Sequence, residues 1–273
     1  MRLVAFALAL LLSGALPAQP LFDTHLHYSA EDAAAFAPAE ILAILDRNDI
    51  AHAVVTGTPA THTEALFRYA PARIVPFLGV YRSDADKIPW PQDAGLPARV
   101  EQALDNGIWR GLGELHIFAE DRASPVFRRL VELAAARDLP LLMHADPEVI
   151  DTLFAIAPQA TVLWAHAGTE PRPALLAEYL ERYPRLSVDL SVRDERIAPE
   201  GQLAEDWRAL FLAHPERFLV GVDTFSVNRW RAFDSVAARI RAWLAQLPPE
   251  VAAQLAYGNA AALFKPLPQY LCH

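Results

Sequence analysis

The sequence predicts a single-domain α/β fold, a (β/α)8 TIM barrel, and three observations predict it. Eight short apolar or β-branched runs recur along the chain. Amphipathic stretches with apolar residues at helical spacing separate most of them, the alternation expected of a parallel sheet. Removing a leader of about 18 residues from the 273 leaves the length that one barrel of this kind needs.

The elements follow in order. A first strand at residues 21–25 leads through an amphipathic stretch at 40–47 to a second strand at 51–56. Stretches at 64–69 and 98–104 precede strands at 74–80 and 111–115. Residues 125–137 carry the helical pattern before a fifth strand at 140–144, and a sixth follows at 161–166. The stretches at 174–182 and 203–212 introduce strands at 186–190 and 218–223, and 234–244 adds a last helix. Proline-rich patches at 88–97 and 171–173 read as loops between units. No composition shift or Gly/Ser linker divides the chain, so residues 19–273 are expected to form one domain.

Residues 1–18 read as a signal peptide. Arg2 supplies the positive start, residues 3–12 are unbroken apolar and too short to span a bilayer, and Ser13-Gly14-Ala15 or Ala18 offers a cleavage site. A periplasmic or secreted protein with no stable membrane association after cleavage is the expectation. The net charge of −9, with Lys87 and Lys265 the two lysines among 24 basic residues, gives no basic patch for a phosphate backbone, so nucleic acid is not an expected partner. Cys272 is the single cysteine, which excludes a disulfide framework and a thiolate zinc site.

Chemistry gathers where the strands end. In Asp23-Thr24-His25-Leu26-His27, alternation sends Asp23, His25 and His27 to one face, with Phe22, Thr24 and Leu26 on the other. His144, His166 and Asp223 each close an apolar run, and in a parallel barrel such ends converge on one mouth. Four histidines and a carboxylate drawn from four strands suit zinc, and also iron, nickel or manganese. Gly111-Leu112-Gly113-Glu114-Leu115-His116 adds Glu114, either a bridge between two ions or a residue that supports the ligands from behind or touches substrate, with Leu112 and His116 expected on its face. His116 reads as a substrate or water contact, and Tyr81, Arg82 and Arg193, just past strand ends, are candidate contacts for an anionic substrate.

This pattern resembles the amidohydrolase superfamily, in particular its amidohydrolase-related (type two) branch. The resemblance rests on Asp23 to His27, His144, His166 and Asp223, supported by Leu45-Asp46-Arg47-Asn48-Asp49-Ile50 and Gly258-Asn259-Ala260-Ala261-Ala262-Leu263-Phe264. It implies that His25, His27, His144 and Asp223 bind a catalytic divalent metal, Zn2+ first and Mn2+, Fe2+ or Ni2+ otherwise, while His166 binds a second ion or orients the attacking water. The fourth strand lacks the lysine that some two-metal members carry, and Glu114 stands there, as a carboxylate does in the TatD-like deoxyribonucleases. The activity implied is hydrolysis of a small-molecule ester, lactone or amide by a metal-activated water, with Asp223 moving the proton. A metal-dependent decarboxylase is the main alternative, followed by a TatD-like nuclease and a non-catalytic exported metal-binding protein. Relatives also make a homodimer an open expectation.

Overall fold

The computed structural model describes residues 19–265. The leader read over residues 1–18 and the thiol of Cys272 lie outside them. Eight strands, parallel and in chain order, form the barrel: β1 (Leu21–His27), β2 (Ile50–Thr56), β3 (Ile74–Leu78), β4 (Gly111–Ile117), β5 (Leu141–Ala145), β6 (Val162–Trp164), β7 (Leu186–Asp189) and β8 (Phe218–Leu219). Helices run back over the outside: Pro38–Arg47, Thr61–Tyr69, Leu96–Leu104, Pro125–Ala136, Pro147–Ile156, Pro173–Arg182, Glu205–Ala213 and Phe233–Leu244. Pro38, Pro125, Pro147 and Pro173 each open one of them, at the position where a missing N–H leaves no bond unmade and the ring's fixed φ suits the helix. The helix Pro147–Ile156 occupies a stretch to which the sequence pattern assigned none; Asp146-Pro147 followed by buried Val149, Ile150, Leu153 and Phe154 is the signal that could have found it. Among the described residues no helix is long and apolar enough to cross a membrane.

Two layers of apolar packing hold this arrangement. The larger lies between strands and helices, with Leu115, Leu130, Met143, Trp164, Val188 and Phe211 among its fully buried members. The smaller fills the barrel below the site: Phe22, Val54, Phe77, Leu142, Leu163 and Leu219 meet there, and Ala260 and Phe264 of the last helix (Asn259–Phe264) plug it from the end. Asn259 fixes that plug by donating its side-chain amide to the carbonyls of Pro215 and Phe218 at 2.7 and 2.8 Å.

Register shifts interrupt strict alternation, and two of them matter for the site. The pairing of β1 with β2 advances three residues, Asp23 to Leu26, against two, Ala53 to Val55. The pairing of β4 with β5 does the same between Leu112 and Leu115. Such a register shift re-aims the side chains beyond it. Phe22 consequently fills the barrel interior beneath His25 instead of facing the other way, and Leu112 packs in the outer layer instead of sharing a face with Glu114. Glycine permits the second shift: Gly113 has a positive φ of 131°, and a Cβ there would sit 2.4 Å from the Leu142 carbonyl oxygen.

Closure is irregular too. The sequence expected strands to run through His166 and Asp223, but β6 ends at Trp164 and β8 at Leu219. His166 and Asp223 sit in the left-handed region, with φ of 59° and 55°. Beyond β8 the chain follows β1 through single bonds. Val220 O accepts the Thr24 amide at 2.9 Å, and Asp223 N–H donates to His25 O at 2.7 Å. Between them the Asp23 carboxylate, not a backbone carbonyl, accepts the Val222 amide at 3.2 and 3.3 Å. Fully buried Thr24 adds a hydroxyl bond to Val220 O at 3.0 Å. Substituting Thr24 by Val keeps the shape and removes the hydroxyl, with its bond to Val220 O and its longer 3.5 Å approach to Asp189 Oδ1. The expected cost is about 1 kcal/mol, a fall of about 3 °C in Tm by thermal unfolding, and an unchanged Tm would remove Thr24 from the closure.

Candidate metal centre

The strand ends bring five histidines and two carboxylates to the floor of one cavity. His25 and His27, past the shift in β1, place their Nε2 atoms 3.2 Å apart. Glu114 lies at the centre, almost fully buried. Its Oε2 is 3.6 Å from His25 Nε2, 3.3 Å from His27 Nε2 and 3.5 Å from His116 Nε2. Its other oxygen, Oε1, is 3.2 Å from His144 Nδ1 and 3.1 Å from His166 Nε2. Asp223 closes the ring, with Oδ1 3.3 Å from His27 Nε2 and 3.9 Å from His25 Nε2, and Oδ2 3.8 Å from His166 Nε2. Donor atoms of His25, His27 and Asp223 all lie within 4.8 Å of one another, as do those of His25, Glu114 and His166, and of Glu114, His116 and His144.

The electrostatics follow from that crowding. Burial works to raise the Glu114 carboxyl, yet the histidines around it, His25 first, hold it well below the ordinary carboxylate range. Burial alone would lower His25, but Glu114, Asp223 and Asp189 hold it well above its usual value; His27 is raised in the same way by Asp223 and Glu114. Asp223 is lowered by His25, His27 and His166 against its own burial. Protons on the imidazoles thus supply the positive charge that two buried carboxylates require. His116 behaves differently, because burial lowers it to about 4.

A divalent cation fits these residues. Asp223 Oδ1 is buried and has no hydrogen-bond partner, a costly state unless a positive charge shares the site. The neighbouring groups are imidazole nitrogens and carboxylate oxygens, the ligand types that zinc and similar ions take. The exact element is not set by such donors.

The remaining sequence candidates separate. His116 reaches the cluster through Glu114 and also lines the cavity. Tyr81 does not line it. Its buried hydroxyl stands behind His116, accepting the His116 amide at 2.8 Å and lying 3.4 Å from Nδ1, and burial pushes it above its usual range. Arg82 is turned away: it pairs with Asp86 at 3.0 Å and lines a separate surface cleft with Trp90 and Arg99. The reading of Tyr81 and Arg82 as substrate contacts is therefore corrected, since one is packed under the site and the other engaged outside it. Arg193 does line the cavity, but its guanidinium donates to the His166 and Gly168 carbonyls at 2.6 and 3.1 Å. It holds the tight turn in which His166, Ala167 and Gly168 all have positive φ.

Sequence reasoning missed Asp189 and Ser191, both fully buried. Asp189 ends β7, whereas the seventh apolar run was drawn past it to residue 190; a carboxylate inside so short an apolar run is the signal that could have found it. The cavity above the cluster has a volume of about 460 Å3, and its wall includes Glu31, Asp32, Asp84, Lys87 and Phe225.

A family model described as amidohydrolase matches residues 22–265. No curated protein matches the chain. Among solved structures, an amidohydrolase from Burkholderia multivorans is 18% identical with a TM-score of 0.59, over 90% of this chain and 99% of its own. Two described as 2-pyrone-4,6-dicarboxylic acid hydrolases are also similar. The one from Acinetobacter baumannii is 14% identical with a TM-score of 0.64, over 90% of this chain and 99% of its own. The one from Pseudomonas putida is 16% identical with a TM-score of 0.65, over 93% of this chain and all of its own.

Because Glu114 is a main source of the raised proton affinity of His25 and His27, the Glu114→Gln variant should titrate both at lower pH than the wild type. Histidine Cε1–H signals in a metal-free NMR titration read this directly. Unmoved midpoints would mean that Asp223 and Asp189 carry the field alone.

Proposed function

The chain belongs to the amidohydrolase family, and from that premise we propose that it is a binuclear metal-dependent hydrolase of a small ester, lactone or amide. The observation that carries this reading is the division of Glu114: one carboxylate oxygen faces His25 and His27, and the other faces His144 and His166. A carboxylate shared in that way is a bridge between two ligand sets. His25, His27 and Asp223 would hold one cation with Glu114, and His144 and His166 would hold the other. Zinc is the first candidate by donor type, with manganese, iron or nickel alternatives.

Bound divalent cations would make a water molecule acidic enough to react near neutral pH and would polarise the carbonyl under attack. The protein's own part is positional. Asp223, with Oδ1 unpartnered and Oδ2 free of close hydrogen bonds to the chain, stands to accept the attacking water's proton and return it to the leaving group. His116, neutral at working pH and at the cavity wall, can donate or accept one hydrogen bond to the substrate. A cavity of about 460 Å3 suits a small molecule.

Its charges favour hydrolysis over decarboxylation of a polyanionic acid. Of the two cations on the wall, Lys87 is paired with Asp84 at 2.9 Å and Arg193 is engaged by backbone carbonyls, while Glu31 and Asp32 add carboxyl groups with no cation on the wall beside them.

Metal analysis of the purified protein should find two ions per chain, falling to one in Glu114→Ala; one ion in both would place Glu114 outside the ligand set and overturn the binuclear reading. Asp223→Asn should keep metal and lose a factor of about 100 to 10,000 in turnover, measured on a panel of lactones, esters and amides. Carbon dioxide release from unsaturated or aromatic acids, with no ring or ester opening, would replace the hydrolase by the decarboxylase.

A further inference from the structure

Behind the cluster, away from the cavity, stands a carboxylate that hydrolysis does not use. Asp189, at the end of β7, is surrounded by donors. Its Oδ2 lies 2.9 Å from His25 Nδ1, 2.5 Å from Ser191 Oγ and 3.2 Å from the His166 amide nitrogen, and its Oδ1 accepts the Ser191 amide at 3.2 Å. Ser191 Oγ lies 2.8 Å from His166 Nδ1. The roles are fixed by counting hydrogens. A serine hydroxyl has one, and an aspartate with ionised oxygens can only accept. Ser191 therefore donates to Asp189 and accepts from His166 Nδ1–H, while His25 Nδ1–H donates to Asp189 directly.

We propose that Asp189, with Ser191 as its relay, is a positioning residue that holds the Nδ1–H and the ring plane of two histidines at once, so that Nε2 is the nitrogen both His25 and His166 turn to the cluster. The two rings are stacked, with centroids 4.8 Å apart and planes 16° from parallel, so a shared anchor sets their planes together. The segment after β8 makes room for it. Gly221 passes so close that a Cβ would sit 2.7 Å from Asp189 Oδ1 and 3.0 Å from His25 Cβ. The outer partner of a ligating histidine commonly fixes its tautomer; here one carboxylate serves ligands on two separate strands. This deepens the metal-centre reading and rests on it only where metal affinity is measured.

The test uses the full chain labelled with 15N. In metal-free protein the Nδ1–H protons of His25 and His166 should be observable, shifted downfield and slow to exchange. Ser191→Ala should abolish the His166 signal and keep that of His25. Asp189→Asn should displace both, because an uncharged amide oxygen in place of Oδ2 accepts more weakly from its three donors and the amide NH2 in place of Oδ1 faces the Ser191 N–H, donor against donor. With zinc, competition against a chromophoric chelator should show affinity about tenfold weaker in Ser191→Ala and about 100-fold weaker in Asp189→Asn. Both signals persisting in both variants, with zinc affinity unchanged, would overturn the proposal. Should Asp189→Asn not fold, Ser191→Ala decides alone, since it leaves the aspartate and His25 in place. A wild type that binds no zinc would refute the metal reading, and the Nδ1–H signals would still decide the positioning role.

Discussion

Glu114 is a charge enclosed by imidazoles. Only 4% of its surface is exposed, and five histidine side chains approach its two oxygens within 3.6 Å. An isolated buried carboxylate would be too costly to keep ionised, and here the histidines hold it ionised. The features around it follow. The register shift in β4 points the residue inward, Gly113 lets the backbone approach β5, and Thr56 anchors the Gly113 carbonyl through its hydroxyl at 2.5 Å. The far nitrogen of His25 is held in turn by Asp189, which adds to the pull of Glu114 and Asp223 on its proton.

Much of this was legible in the sequence. The eight apolar runs located all eight strands; His144, His166 and Asp223 were named from run ends, His25 and His27 from alternation in the first strand, and Glu114 as a carboxylate on the fourth. The family model's match over residues 22–265 agrees with that resemblance. What periodicity could not reveal was where it breaks. The faces of Phe22 and Leu112 came out wrong because alternation has no way of counting an extra residue in one strand. His166 and Asp223 were placed on strands because their neighbours are apolar, whereas their backbones leave the ladder in the left-handed region.

Polar residues outside the motif were harder still. Tyr81 and Arg82 are adjacent, yet one hydroxyl is packed beneath His116 and the other side chain pairs with Asp86 four residues on. No property of the dipeptide distinguishes these fates; tertiary packing does, with Trp90 donating to the His116 carbonyl at 2.7 Å and lining the outer cleft beside Arg82. Asp189 was passed over because a lone aspartate after a short apolar run has no partner visible in one dimension. Its significance lies in the 164 residues that separate it from His25 along the chain.

The irregular closure between β1 and the segment after β8 gives the molecule a chronology. The bonds from Thr24 to Val220 and from Asp23 to Val222 join residues 196 and 199 positions apart, so they are absent until nearly the whole chain has been synthesised. A nascent chain that has reached β7 holds all five histidines and Glu114, but not Asp223 or the carbonyl that receives Thr24. The groups that would activate water are therefore incomplete until the last strand docks against the first, and a half-made copy carries no working site.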